Sequence, residues 1–93
     1  MSRFDYTQRL EIQGPHPIVI VPLLFHKASV RGLGPDGECA LSEDYTLRLG
    51  DCAWVVNENG QFWISYEDDY TLYYKGTPVI KITAPRYQDI TIL

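Results

Sequence analysis

Glu43-Asp44-Tyr45-Thr46-Leu47 and Asp68-Asp69-Tyr70-Thr71-Leu72 are one phrase written twice: a pair of acids, then Tyr-Thr-Leu. Asp favours turn geometry, because its short carboxylate bonds nearby backbone amides, while Tyr and Thr favour the pleated, half-buried surface of a strand. Each copy therefore predicts an acidic turn releasing the chain into a β-strand. Allowing one inserted residue after the phrase, Gly50 aligns with Gly76, Trp54 with Ile80, Val56 with Ile82 and Ile64 with Ile90. This predicts three strands recurring as three strands. In a simple meander such three-strand copies run in opposite directions. Glu43 and Asp44 then join Glu58 at one end of the sheet, and Glu67, Asp68 and Asp69 join Asp51 at the other.

Outward from the phrase, the chain continues to read as short strands between turn signals. Residues 3–12 alternate, with Phe4, Tyr6, Leu10 and Ile12 on one side and charged or polar residues on the other, the pattern of a strand with one wet face. Gly14-Pro15-His16-Pro17 breaks the chain. Ile18 to Phe25 is apolar on both faces, predicting a strand covered on two sides, with Pro22 demanding an edge position or a bulge. Gly32 to Gly37 forms a second break around Pro35, Asp36 and Gly37. Further strands are expected near 38–41, 45–49, 52–57, 61–66, 70–74, 78–83 and 88–93. The clearest hairpin runs from Trp54 to Ile64 and turns at Asn57-Glu58-Asn59-Gly60, where Asn and Gly tolerate positive φ. Apolar spacing of three and four never persists. The expected fold is all-β: a small antiparallel sandwich or barrel of eight to nine short strands, rich in meander, with little or no helix.

Ninety-three residues suit a single β domain spanning 1–93, and a chain of that size hides only about 60–65% of its unfolded surface. A hydrophobic content of 45% with 13% aromatics belongs to a folded chain rather than a disordered one. The longest apolar run, Pro17–Phe25, falls well short of the roughly 18 residues a membrane helix needs. No basic region followed by an apolar stretch opens the sequence, so no signal peptide is read and a cytoplasmic or virion location is expected.

The formal charge of −4 hides a segregation. Residues 34–72 carry nine carboxylates (Asp36, Glu38, Glu43, Asp44, Asp51, Glu58, Glu67, Asp68, Asp69) against Arg48 alone, while both flanks are mildly basic. Such a block repels phosphate and attracts basic surfaces, so direct nucleic-acid binding is disfavoured. The plainer account of the same acids is that they solvate turns.

Each catalytic or ligand motif has a structural reading beside it. Gly32, Gly34 and Gly37 match a dinucleotide-loop spacing, but Pro35-Asp36-Gly37 reads as a turn into a strand, not into the helix whose N-terminus would hold pyrophosphate. Gly50-Asp51-Cys52-Ala53-Trp54 resembles, over five residues, the nucleophile segment of CHAP-type cell-wall hydrolases. That family needs a general-base histidine after the cysteine, whereas His16 and His26 both precede Cys52, and it sets the cysteine at a helix start where Cys52 begins a strand. A packed thiol is the simpler expectation. Cys39 and Cys52 are read as two reduced, half-buried thiols, since one bridge is few for a secreted domain of this length. His16, His26, Cys39 and Cys52 hold the atom types of a zinc site without its close ligand pairs, and Glu67, Asp68 and Asp69 lack EF-hand spacing. No catalytic residue, metal or cofactor is assigned.

What remains is a surplus of aromatics. Trp54, Trp63, Tyr66, Tyr70, Tyr73 and Tyr74, with Glu43, Asp44, Glu67, Asp68 and Asp69 at the rim, have the composition of a protein-contact surface. The leading functional expectation is a non-enzymatic protein-interaction module, a subunit or accessory of a larger assembly such as a viral or phage particle, with a protein partner or further copies of itself and no membrane. The alternative is a small acidic inhibitor or immunity-type protein that occupies a basic site on a target enzyme. A cysteine- or carboxylate-based small enzyme ranks third.

Overall fold

Turn residues cut the apolar pattern into short lengths, and in the computed structural model these lengths are strands. It describes residues 8–12, 14–25, 27–65, 67–83 and 89–93, among which there is no helix. In chain order the strands are β1 (Gln8–Leu10), β2 (Ile18–Leu23), β3 (Lys27–Gly34), β4 (Gly37–Cys39), β5 (Tyr45–Leu49), β6 (Ala53–Val55), β7 (Asn57–Glu58), β8 (Gln61–Ser65), β9 (Tyr70–Tyr74), β10 (Thr77–Thr83) and β11 (Asp89–Ile92). They form two antiparallel sheets in a sandwich-like arrangement. The first has the order β1-β2-β3-β8-β7 with β4 also on β3, and the second has the order β11-β10-β9-β5-β6.

The doubled phrase forms the centre of the second sheet. β5 pairs directly with β9, setting Leu47 against Leu72, Tyr45 against Tyr74 and Leu49 against Tyr70. A half-turn about the Leu47–Leu72 pair therefore carries Tyr45-Thr46-Leu47 onto Tyr70-Thr71-Leu72. Backbone bonds obey the same operation: Lys75 N–H donates to Asp44 O at 2.8 Å, and Gly50 N–H to Asp69 O at 2.8 Å. Gly50 and Lys75 share a left-handed φ of 51°. Leu47 faces Val55 across one hairpin as Leu72 faces Ile80 across the other.

This register corrects the aligned repeat. Gly50 corresponds to Lys75 rather than Gly76, and Val55 rather than Trp54 corresponds to Ile80. The extra residue is absorbed later, in the register shift between Pro78 and Ile80, where a bulge takes up one residue without moving the turn. Two strands recur, not three, since β8 lies in the first sheet and β11 in the second.

Nor is the chain a simple meander. The expected strand 52–57 is two strands in different sheets, β6 and β7, with Val56 exposed at the crossing. The chain returns after β8, and this excursion is what brings β9 beside β5. The described residues form eleven strands where eight or nine are expected, because the 52–57 strand is divided and β3 has no counterpart in the sequence reading. Its inward residues are Ala28, Val30 and Gly32, too small to give a strong periodic signal, and its glycines imitate a loop. Gly32 stays in the strand because a Cβ there would meet His16 Cε1 at 2.5 Å. The β2 strand stops at Leu23; Leu24 and Phe25 form the turn, not a covered strand. Pro22 keeps its pairing with Ala28 without a shift. Among the described residues β1 pairs with Ile18–Ile20 of β2. Residues 3–7 of the expected first strand, Tyr66, and the 84–86 turn lie outside the described residues.

The sheets close on one core. Ile18, Ile20, Ala28, Val30, Phe62 and Ile64 from the first meet Tyr45, Leu47, Tyr70, Leu72, Ile80 and Ile82 from the second. Complete burial of one such aliphatic side chain stabilises by about 1.5–3 kcal/mol. Leu10, Ile12 and Ile90 pack at the rim. No helix among the described residues is long and apolar enough to cross a membrane.

Turn chemistry supplies a stability test. Asn59 and Gly60, at φ 55° and 75°, form the two-residue turn of the β7–β8 hairpin, and a Cβ on Gly60 would collide with Ala40 Cβ. Gly50 shares the left-handed conformation, yet nothing lies within 4 Å of its would-be Cβ. In urea titrations Gly50→Ala should cost about 1 kcal/mol and Gly60→Ala about 2–4 kcal/mol, since overpacking is added to strain.

Candidate functional site

Alternation along each strand sends one set of side chains into the core and the other onto an outer face, so the aromatic surplus divides. On the second sheet's outer face Trp54 lies opposite Arg48 and Tyr73 opposite Thr46. The Trp54 and Tyr73 rings meet edge to face at 5.5 Å, and the Arg48 guanidinium sits 5.6 Å above the Trp54 ring. Trp54 remains 59% exposed, so this cluster is a surface feature. Trp63 is also exposed, but it pairs with Ser29 on the outer face of the first sheet. The two tryptophans point away from each other across the molecule.

Two tyrosines leave the expected contact surface. Tyr70 is buried, and its hydroxyl accepts the Ser65 amide at 2.9 Å, which ties the start of β9 to the end of β8. Tyr74 is half-buried and stacks against Tyr45 with ring centroids 4.8 Å apart. Their alternation with Leu72 and Thr71 places both on the inner face, which composition alone does not show. Tyr66 lies outside the described residues.

The acids divide between the two ends of the strands. Glu43 and Asp44 precede Tyr45, which pairs with Tyr74, whereas Asp69 precedes Tyr70, which pairs with Leu49. Glu58, paired with Gln61, lies at the first end beside Asn59 and Gly60, and Asp51 lies in the turn at the Asp69 end. Glu38 is held in an ion pair with Arg31 at 2.6 Å. The same guanidinium donates through Nε to Ser29 Oγ, and that buried hydroxyl donates to Gln61 Oε1, both at 3.0 Å. A polar ladder thus runs across β8, β3 and β4 beneath the outer surface.

One exposed feature escaped the sequence reading. Leu24 and Phe25 form the tip of the β2–β3 hairpin and are 79% and 87% exposed. Phe25 also takes a φ of 61°, a left-handed conformation that costs a non-glycine residue about 1–2 kcal/mol. The apolar run continuing from Ile18 concealed it, because a strand and its tip share the same residue types.

Of the three thiol and imidazole residues described, two come together and one stands apart. His16 and Cys39 meet at the end of the fold that carries Gly14 and Pro35, with Nε2 and Sγ 3.5 Å apart. Cys52 is an exposed free thiol in the β5–β6 turn, not a packed one, and it lies at the opposite end, so Cys39 and Cys52 cannot bridge within one chain. His26 lies outside the described residues. Close to the His16–Cys39 pair is Tyr45, 2% exposed, whose hydroxyl has no hydrogen-bond partner among the described residues.

Burial raises the Tyr45 hydroxyl above its usual value of 10.0, with smaller contributions from Tyr74, Cys39 and Asp44. Burial also raises Tyr70, partly opposed by the Ser65 hydrogen bond and reinforced by Asp68. A raised folded value means stability that is complete below the unfolded value of about 10 and is lost as pH climbs through the folded one. An alkaline titration should therefore show a late-ionising tyrosine fraction whose absorbance change coincides with loss of the β signal in circular dichroism. Tyr70→Phe should cost about 1 kcal/mol by orphaning the Ser65 amide, whereas Tyr45→Phe should stabilise by about 1 kcal/mol by removing a buried hydroxyl that has no partner among the described residues. Comparison of the chain with protein-family models, with curated proteins and with solved structures finds no match.

Proposed function

We propose that this chain is a non-enzymatic β-domain that works by protein contact, as a subunit or accessory of a larger assembly such as a viral particle. The observation that carries the reading is the distribution of its exposed large apolar side chains. Leu24 and Phe25 occupy a hairpin tip, Trp54 and Val56 the β6 edge and its outer face, and Trp63 the outer face of the other sheet. Scattered single apolar residues are ordinary on a surface. Here they come with costs that a freely solvated protein has no reason to keep: a left-handed Phe at a tip and a Trp on a strand that ends its sheet among the described residues. Positions on several sides suit a subunit with several neighbours better than an inhibitor with one target. The acids also suit an inhibitor poorly, because those at the two strand ends cannot meet one basic site together.

The reading calls for a particle heavier than the 10.7 kDa chain. Sedimentation in native extract should show this, and photo-cross-linkers placed singly at positions 25, 54 and 63 should yield adducts at two or more positions, with different partner peptides. A monomer in native extract that cross-links at none of the three would overturn it. Adducts to one enzyme, with affinity falling steeply as salt rises, would transfer the assignment to the inhibitor reading.

A further inference from the structure

We infer that the Leu24–Phe25 tip of one copy of this chain docks in an apolar groove at the other end of a second copy, so that copies join head to tail. The inference rests on the assembly reading and names the partner that the tip takes within it. Leu24 and Phe25 stand 79% and 87% exposed, and Phe25 is held there at a φ of 61°. Nearly the whole of both side chains is therefore offered to a partner. The groove has a volume of about 400 Å³, and its walls include Ile12, Pro78, Val79, Ile92 and Leu93 together with Glu11. A closed cavity of about 150 Å³ is enough for a benzene ring, so this groove has room for the Phe25 ring and the Leu24 side chain together.

Strand register places tip and groove at opposite ends of the molecule. Leu23 pairs with Lys27, and Lys27 with Ser65, so the tip extends past the end where Ser65 meets Tyr70. Ile12 lies two residues beyond Leu10, which pairs with Ile18 at the far end of β2, and Thr77, just before Pro78, pairs with Tyr74 at the far end of β9. A surface that fits a different surface of the same molecule makes a heterologous contact, which repeats as a ring or an open filament instead of closing as a two-fold dimer. Each copy can thus hold one neighbour by its tip and receive another in its groove.

Charge complements the apolar fit. Lys27 is exposed two residues after Phe25, and Glu11 brings a carboxylate to the groove wall. Arg9 holds Glu11 Oε1 at 2.8 Å, but a carboxylate has about four acceptor sites, so Lys27 of the next copy can join the pair. The area sets the strength. A phenylalanine covers about 150–250 Å², and the tip with the groove surface it covers buries on the order of 700 Å² in all, below the roughly 1,200 Å² of a stable specific pair. A single contact is therefore weak, and the chain assembles through it as concentration rises.

Sedimentation velocity of the full chain up to about 1 mM, where contacts of this strength are populated, tests the inference. The wild-type chain should show a series of species from the monomer upward. Phe25→Gly and Leu93→Asp should each remain monomeric. An equimolar mixture of the two should give a dimer and nothing larger, since the first keeps an intact groove and the second an intact tip. Phe25→Gly should unfold at no lower urea than wild type, because glycine accepts the left-handed conformation without strain, a split that a merely structural role for Phe25 would not produce. Should Leu93→Asp fail to fold, a photo-cross-linking phenylalanine analogue at position 25 still decides: its adduct should lie beside Ile12, Pro78 or Ile92 of a second copy. A wild-type chain monomeric at the highest concentration, variants that associate as wild type does, a mixture that stays monomeric, or a position-25 adduct on a different protein would overturn the inference. The last of these leaves the assembly reading standing, whereas a monomer in native extract with no adduct at positions 25, 54 and 63 overturns both.

Discussion

Everything in the second sheet hangs on the pairing of β5 with β9. Leu47 and Leu72 lie opposite each other at its centre, both wholly buried, and one backbone bond at each end closes the pair with the same geometry. A register slip of a single residue would turn Tyr45, Leu47, Tyr70 and Leu72 out to solvent together, so the burial of four large side chains fixes the register far more strongly than the hydrogen bonds could. The hairpins that extend from this pair, β5–β6 and β9–β10, inherit their faces from it.

The same pairing dictates the path of the chain. Strands β5 and β9 are neighbours in the sheet but separated in sequence, so the intervening chain must leave and come back. It does so by crossing at Val56 and spending β7 and β8 in the first sheet, where Phe62 and Ile64 join the core that holds Tyr45 and Leu47. The crossing has a consequence for the surface. It leaves β6, paired with β5, at the edge of the second sheet among the described residues, with Trp54 on it and Val56 exposed beside it, and sends the next tryptophan, Trp63, to the far side of the molecule. The aromatic residues that look like one cluster in the sequence are thereby distributed among two outer faces and the core.

At the opposite end of the first sheet a different constraint operates. Gly14 and Gly32 are needed there for what surrounds them: Tyr45 presses on the first, and His16 and Cys39 on the second. Removing two Cβ atoms lets an imidazole, a thiol and a phenol gather at the open end of the core. Tyr45 joins the two regions. Its ring belongs to the symmetric centre of the second sheet, while its hydroxyl lies beside Gly14, two residues before His16, so the repeat that organises the fold also delivers one polar atom to that end. Tyr70, its counterpart under the half-turn, reaches the Ser65 amide instead and is satisfied.

Much of this was legible in one dimension. Alternation and turn residues sufficed for the all-β class, for the spans of β5 and β9, and for a turn containing Asn59 and Gly60, although Asn57 and Glu58 belong to β7 rather than to that turn, because the strand period and the demand for positive φ are local. The acids of the two copies are likewise assigned to opposite ends once two strands run antiparallel. What local pattern could not supply was partnership. Strand β3 is built of small residues and glycines, and only the neighbours that fill the space above Gly32 explain why it is a strand. Leu24 and Phe25 differ from Ile18 and Ile20 in nothing but the place where the chain turns. The meeting of His16 with Cys39, the burial of Tyr70 and the separation of Trp54 from Trp63 each depend on which strands lie side by side. The sequence by itself determined the strands and turns, since their causes act within a few residues; only the tertiary structure decided which side chains share a site, since that follows from burying two sheets against each other.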